Sequence, residues 1–267
     1  VVVEPVNDTV SQEIFGSGVH QFSISFQEVG DIGNAADTET GRGEVAYGYR
    51  LSTYAIARND IENAFNSGGP VPPDTLWDYG QIGLANRPRM PATGISWYEA
   101  ALFVNWLNKS QGFQEAYDLE NEALWQTSDA WSEGGKNQFR HKDAEYWLPS
   151  FDEYLKAAFY QPESGTYALY STGSDDSPVP VASGSMPGTL VFGQNIASGV
   201  ADVELAGAKS SYGVVGLTGN ILEQLETIQG FENTDFYGRR LSTGGDYTNN
   251  KFALIRTNIF LGALDIR

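Results

Sequence analysis

The chain has 267 residues, 41% of them apolar and 13% aromatic, which is length and apolar content for a packed core and excludes an intrinsically disordered polymer. Acidic residues outnumber basic ones 34 to 16, and the formal charge of −18 disfavours nucleic acid or an anionic membrane as a simple electrostatic partner, while it suits divalent cations or a salty medium. Cysteine is absent, so disulfides, thiolate metal sites and cysteine nucleophiles are excluded, and no apolar run is long enough to span a membrane. Most of the carboxylates are expected on a solvated surface.

In chain order, residues 1–21 read as an extended arm that adds a strand to a neighbouring copy, folds back as an edge strand of its own domain, or frays: Val1, Val3, Val6 and Val10 favour strand, and Pro5 argues against helix. From Phe22 to Ile56 strands flank a polar loop, GDIGNAADTETGRG, and the following VAYGYRLSTYAI alternates with a rough period of two. A short helix is predicted over Asn59–Phe65, ending before Gly68-Gly69-Pro70. Ser96-Trp97-Tyr98-Glu99 is a capping box that opens a helix running to Gly112, with Leu102, Phe103, Trp106 and Leu107 facing the core in some combination. Residues 113–146 read as an irregular excursion anchored by Trp125 and Trp131. A second capping box, Ser150-Phe151-Asp152-Glu153, opens a helix that must end by Pro162. Tyr167 to Ala208 is rich in Gly, Ser, Pro and Val, a long loop region with short strands. Trp97, Trp106 and Trp147 are expected in the core.

The C-terminal part carries the most specific pattern. YGVVGLTGNILEQLE (212–226) places a Glu three residues after Gly-Asn, and RRLSTGGDYTNNKFALIR (239–256) places a Gly-Gly turn before an Arg-bearing strand. This resembles the core of the formylglycine-generating enzyme (sulfatase-modifying factor) domain. PATGISWYEAALFVNWLN, YWLPSFDEYLKAAFY and VGDIGNAADTETGRGEVAYGYRLSTYAI are similar to further segments of that domain, in the same order along the chain. The last resembles secreted bacterial members that carry a signal peptide and a C-terminal sorting tail of the PEP type. The resemblance covers residues 22–267 and implies an α+β, C-type-lectin-like, loop-rich fold with two main helices packed on a twisted antiparallel sheet. It also implies an extracellular or cell-surface location. The chain has no basic-then-apolar leader segment, as expected of a mature form.

The departures from the family pattern bear on function. Active members oxidise their substrate with copper held by two cysteines, and those positions fall here on Asn249 and Leu254. A related branch, the sulfoxide synthases, needs three histidines for iron, and this chain has only His20 and His141. The resemblance therefore implies neither copper nor iron. It does imply calcium, held by Glu223 with the carbonyls of Gly219 and Ile221, an oxygen set that suits a hard cation. The family's preceding side-chain ligand falls on Gly216, and its usual aromatic-acidic-aromatic triplet is Leu222-Glu223-Gln224, which keeps only the carboxylate. A second calcium group would use Asn195, the carbonyl of Ile196 and Asp202. For Glu223 the alternative use is to satisfy buried loop amides without a metal.

Other polar groups have two readings each. Asp31, Asn34, Asp37 and Glu39 have carboxylates and amides at close intervals but not the EF-hand spacing, and read as a solvated turn rather than a calcium loop. Asp246, Tyr247, Asn249 and Asn250 follow the Gly-Gly turn and would suit sugar stacking and hydroxyl hydrogen bonds, or else form a polar turn closed on itself. Asn7-Asp8-Thr9 and Asn108-Lys109-Ser110 match the glycosylation sequon. No phosphate loop, serine triad or acid–base pair stands out. The sequence therefore points to a non-catalytic structural or adhesive subunit, self-assembling through the N-terminal arm or meeting surface glycans. A calcium-dependent carbohydrate- or receptor-binding module is the alternative, and an enzyme with an unrecognised site the second alternative.

Overall fold

The computed structural model describes residues 10–76, 87–230 and 235–261. Strand β1 (Val10–Phe15) runs antiparallel to β2 (Phe22–Val29), with Val10 opposite Gln27 and Phe15 opposite Phe22. Strand β3 (Tyr49–Ser52) joins the other edge of β2, with Val29 opposite Tyr49. The ring of Phe15 is buried against Phe22 and Tyr146. Over Val10–Phe15, then, the segment read as an arm is an edge strand of the chain's own sheet. An apolar residue that can reach the core gains more there than in water. Residues 1–9, including the Asn7 sequon, lie outside the described residues.

Helix α1 (Arg58–Asn66) exceeds the predicted helix by one residue at each end, and Asp60 Oδ2 accepts the Ala57 N–H at 3.1 Å across its first turn. Helices α2 (Trp97–Ser110) and α3 (Phe151–Phe159) begin at the two capping boxes. Ser96 Oγ accepts the Glu99 N–H at 3.2 Å and Glu99 Oε2 accepts the Ser96 N–H at 2.8 Å. At α3 the same pair of bonds joins Ser150 and Glu153, at 3.2 and 2.6 Å. Such caps satisfy amide donors that the first turn leaves without helical partners.

The excursion between α2 and α3 is more ordered than expected. It contains β4 (Ala130–Trp131) and β5 (Asn137–His141), paired antiparallel. Trp125 Nε1 donates to the Ala116 carbonyl at 2.8 Å, and Trp131 packs on Tyr47 and Trp147, so both act as anchors. After α3 come four two-residue strands: β6 (Tyr160–Gln161), β7 (Thr166–Tyr167), β8 (Val179–Pro180) and β9 (Thr189–Leu190). The third sheet is β10 (Glu223–Ile228), β11 (Arg240–Thr243) and β12 (Ile259–Leu261), with a register shift between Gln224 and Ile228.

The fold is therefore mixed α+β with the two expected capped helices and the short α1, and several small sheets instead of one are formed by the described residues. They form three helices, two three-stranded sheets and three two-stranded ones, of which β8–β9 is parallel. The cause is local: between Tyr160 and Ala208 turns at Gly165, Gly173, Gly184, Gly188, Gly193 and Gly199, all with positive φ, stop each strand after a couple of residues.

Two apolar clusters make most of the core. One joins β1 and β2 to α1 and α2 through Phe15, Ile24, Ile61, Trp97, Phe103 and Leu107. The other packs α3 against Tyr49, Leu225 and Leu241. Trp147 packs against both. Beside it lies a fully buried ionic group: Arg140 pairs with Glu153 at 3.0 Å and with Glu226 at 3.1 Å. Arg240 donates to the carbonyls of Glu226 and Phe236 and lies over the rings of Trp97 and Phe139, at 3.8 and 4.0 Å. Two guanidiniums and two carboxylates thus balance in formal charge, which limits the cost of burying them. Burial lowers the Arg240 pKa to about 10, leaving it cationic at neutral pH.

Candidate functional site: the loops around the Gly-Asn pair

Gly219 and Asn220 tie three loops together. Gly219 has φ +77, and a Cβ there would stand 2.4 Å from the Val191 carbonyl oxygen, so only glycine fits. Its N–H donates to the Gly244 carbonyl at 2.7 Å. Asn220 sits at φ +62, a region that asparagine tolerates better than most side chains. Its Oδ1 accepts the Ala201 N–H at 2.7 Å and its Nδ2 donates to the Ala201 carbonyl at 3.2 Å. Its own N–H reaches Val191 at 2.8 Å, and its carbonyl accepts from Tyr247 at 3.1 Å. Asn220 thus clamps the 201 loop through its side chain and the 191 and 247 loops through its backbone, a role missing from the expectations above. Its signal was present, since Asn after Gly in a loop is a common left-handed turn residue.

Glu223 opens β10 opposite Thr243, beside this clamp. Its side chain keeps partial solvent contact and has no hydrogen-bond or ion-pair partner among the described residues. Burial pushes its carboxyl up to about 7. Among the described residues no loop amide donates to Glu223, and a carboxylate without a donor is the kind of group a cation would complete. Of the two carbonyls assigned with it, that of Gly219 accepts the Ile221 N–H at 2.7 Å and keeps a second lone pair. These residues fit calcium in ligand chemistry.

The second group does not fit. Asn195 Oδ1 caps a short turn by accepting the Ala197 N–H at 2.9 Å. Asp202 accepts from Arg87 at 2.9 Å, so a guanidinium already neutralises it. The Ile196 carbonyl accepts from the Tyr247 hydroxyl at 3.3 Å and from Gly199 at 3.4 Å. Among the described residues no three carboxylate or imidazole side chains converge on one point.

The Gly-Gly turn lies on the other side of the clamp. A Cβ on Gly244 would meet the Leu217 carbonyl at 2.6 Å, which fixes glycine there. Tyr247 corrects the expectation of a sugar-stacking ring: it is 2% exposed and packs with Met90, Val191, Val200, Ala201 and Ile221. A ring of that size gains more from burial in an apolar cluster than from a polar surface. The three polar neighbours close the turn on itself. Asp246 Oδ1 accepts the Thr248 and Asn249 N–H groups at 2.8 and 3.2 Å, and Asn249 Oδ1 accepts the Asp246 N–H at 2.9 Å. Asn250 Oδ1 accepts the Phe252 N–H at 3.0 Å. At the two positions that correspond to the family's cysteines, Leu254 is fully buried against Tyr170, Leu190 and Phe192, and Asn249 holds the turn.

The acidic 31–39 loop is docked through buried Asn34 and Asp37, while Asp31 and Glu39 stay exposed. Asn34 is buried and donates to the Gly43 carbonyl at 2.8 Å, while Asp37 and Glu39 pair with Arg256 at 3.2 and 3.1 Å. Asp31 accepts from the Tyr212 hydroxyl at 2.8 Å. Asn108, in the second sequon, is fully buried and donates to the Val104 and Tyr146 carbonyls, which leaves no room for a glycan.

A family model for the sulfatase-modifying factor enzyme 1-like domain matches residues 35–258. No curated protein gives a significant match. Among solved structures, the chain is similar to Treponema denticola variable protein 1 at a TM-score of 0.60 and 14% identity, covering 99% of this chain and 96% of that one. It is also similar to CarF, at 0.56 and 16% identity, covering 96% and 95% of the two chains. PvdO from Pseudomonas aeruginosa aligns at 0.52 and 13% identity over 93% and 91%. These likenesses concern the fold.

Proposed function

Because the chain belongs to the sulfatase-modifying factor enzyme 1-like family, we propose that it is a member without that family's copper oxidation, serving as a structural or adhesive subunit at the cell surface or in the extracellular matrix. One observation carries the non-catalytic part of this reading. Copper(I) chemistry of the family kind needs thiolate ligands. The chain has no cysteine, and the two positions concerned hold a turn-forming Asn249 and a core Leu254. The Leu254 side chain has no donor atom and packs with Leu190 and Phe192. The C-type-lectin-like reading of the fold belongs to the same proposal.

The test uses the purified full chain. Incubated with a cysteine-bearing sulfatase peptide, copper and oxygen, it should form no peptide aldehyde detectable by mass spectrometry. It should also form assemblies larger than one chain in light scattering. Aldehyde turnover overturns the non-catalytic part, and a monomer at high concentration overturns the self-assembling part.

Glu223 supports the second reading, a calcium-dependent binding module. In it the carboxylate of Glu223 and the Gly219 and Ile221 carbonyls hold the ion, which stiffens the clamp around Asn220. Calcium found by elemental analysis in protein purified without chelator, and lost in a Glu223→Gln variant, supports that reading.

A further inference from the structure

A cleft of about 370 Å³ opens between β2 and α1. It exists because β3 follows β2 only as far as the pair Phe26–Ser52. Past that point Thr53 donates to the Ser25 carbonyl at 2.7 Å and the chain turns off into α1. Phe22 to Ile24 thus has no β3 partner on that edge, and these residues line the cleft together with residues of α1. Asn59 and Asn63, four residues apart and so on one face of α1, line the helical wall. Tyr54 lines the turn between them and the strand.

We propose that this cleft binds a neutral saccharide of one or two rings. Three observations select that class. First, the carboxamides of Asn59 and Asn63 are half-buried and have no hydrogen-bond partner among the described residues. A carboxamide offers a donor and an acceptor side by side, which matches the vicinal hydroxyls of a sugar ring. Second, the half-buried Tyr54 ring also has a hydroxyl without a partner among the described residues, so it presents both a stacking face and a polar tip. Third, the end of the cleft attracts no anion. Arg89 is already engaged by Asp60 at 3.2 Å and by Glu204 Oε1 at 2.7 Å, so that end carries net negative charge. The volume lies within the ~300–1,000 Å³ of ordinary small-ligand pockets. An extended peptide pairing with the open edge of β2 is the competing occupant. It is disfavoured because α1 already lies against β2, and on the helical wall Asn59, Asp60 and Asn63 offer polar groups, not apolar pockets for alternate side chains. The inference is independent of self-assembly and of any calcium at Glu223.

The experiment is saturation-transfer NMR on the full chain with maltose, cellobiose and N,N′-diacetylchitobiose at millimolar concentration. A sulfated disaccharide and a serine-rich hexapeptide serve as comparisons. At least one neutral disaccharide should show transfer, in chelator as well as in calcium, and the sulfated sugar and the peptide should not. Asn63→Ala and Tyr54→Ala should each weaken binding by about tenfold while the melting temperature holds. Asn59→Asp, which keeps the shape and changes one donor to an acceptor, is the companion variant if either alanine variant melts early. No transfer from any neutral sugar to the folded protein overturns the proposal. So does binding that all three variants leave unchanged, or transfer confined to the sulfated sugar or the peptide.

Discussion

Glu153 accepts from both terminal nitrogens of Arg140, at 3.0 and 3.1 Å, while its Oε2 also takes the Ser150 N–H that starts α3. Neither side chain touches solvent. One carboxylate therefore caps a helix and anchors β5 to it. Burial works against the charge of Glu153, but Arg140 outweighs it and holds the carboxyl below its ordinary pKa.

Arg140→Met should destabilise the protein strongly, because it leaves Glu153 and Glu226 as buried carboxylates with their cation gone. The expected loss is about 3–5 kcal/mol, read as a lower urea midpoint at unchanged slope. A loss under about 1 kcal/mol, the scale of a surface pair, would contradict the assignment of this group to the core.

Asn220 should show two separable contributions. Asn220→Ala removes both bonds to Ala201 and puts a Cβ residue at φ +62, for an expected loss of about 2–4 kcal/mol. Asn220→Gly keeps the backbone at ease and loses only the clamp. Chemical denaturation should rank wild type first, the Gly variant second and the Ala variant last. A Gly variant as weak as the Ala variant would mean that backbone strain plays no part.

Glu223 should make stability fall with rising pH when calcium is chelated. Its native carboxyl titrates at about 7, above the ordinary 4.5, so between those values the native state holds a proton that the unfolded chain has lost. The resulting stability is fully present below pH 4.5 and is lost as pH rises through about 7. Glu223→Gln should flatten the melting curve across that window. Calcium added above pH 7 should raise the melting temperature of the wild type and leave the variant where it was. Parallel pH profiles for the two proteins would remove Glu223 from both roles.

The N-terminal segment should divide at Val10. Deleting residues 1–16 removes β1 and the buried ring of Phe15, and should cost about 3–5 kcal/mol in denaturant unfolding. Deleting residues 1–9 leaves that strand in place and should keep the melting temperature. If those nine residues join copies of the chain, the shorter deletion should abolish larger assemblies in light scattering. Assemblies that survive it would place self-association elsewhere.

The sequence by itself determined the elements whose causes are local. Ser96 with Glu99 and Ser150 with Glu153 mark two helix starts because the capping partners are three residues apart. The Gly-Gly turn and the Gly-Asn pair are legible because positive φ selects those residues. The lack of cysteine, and so of the thiolates that the family's copper chemistry uses, is read directly from the sequence. Only the tertiary structure decided how the polar groups are used, because their partners are distant in sequence. Asn34 meets Tyr167, Asp37 meets Arg256 and Arg140 meets Glu226, so two residues of a loop read as solvated are docked and a charged cluster lies in the core. Tyr247 looks the same in sequence whether it faces water or Val191, and it is packing that puts it inside. The cleft beside Asn63 has the same origin: no local pattern shows that β3 leaves β2 at Ser52, since strand separation depends on what α1 packs against.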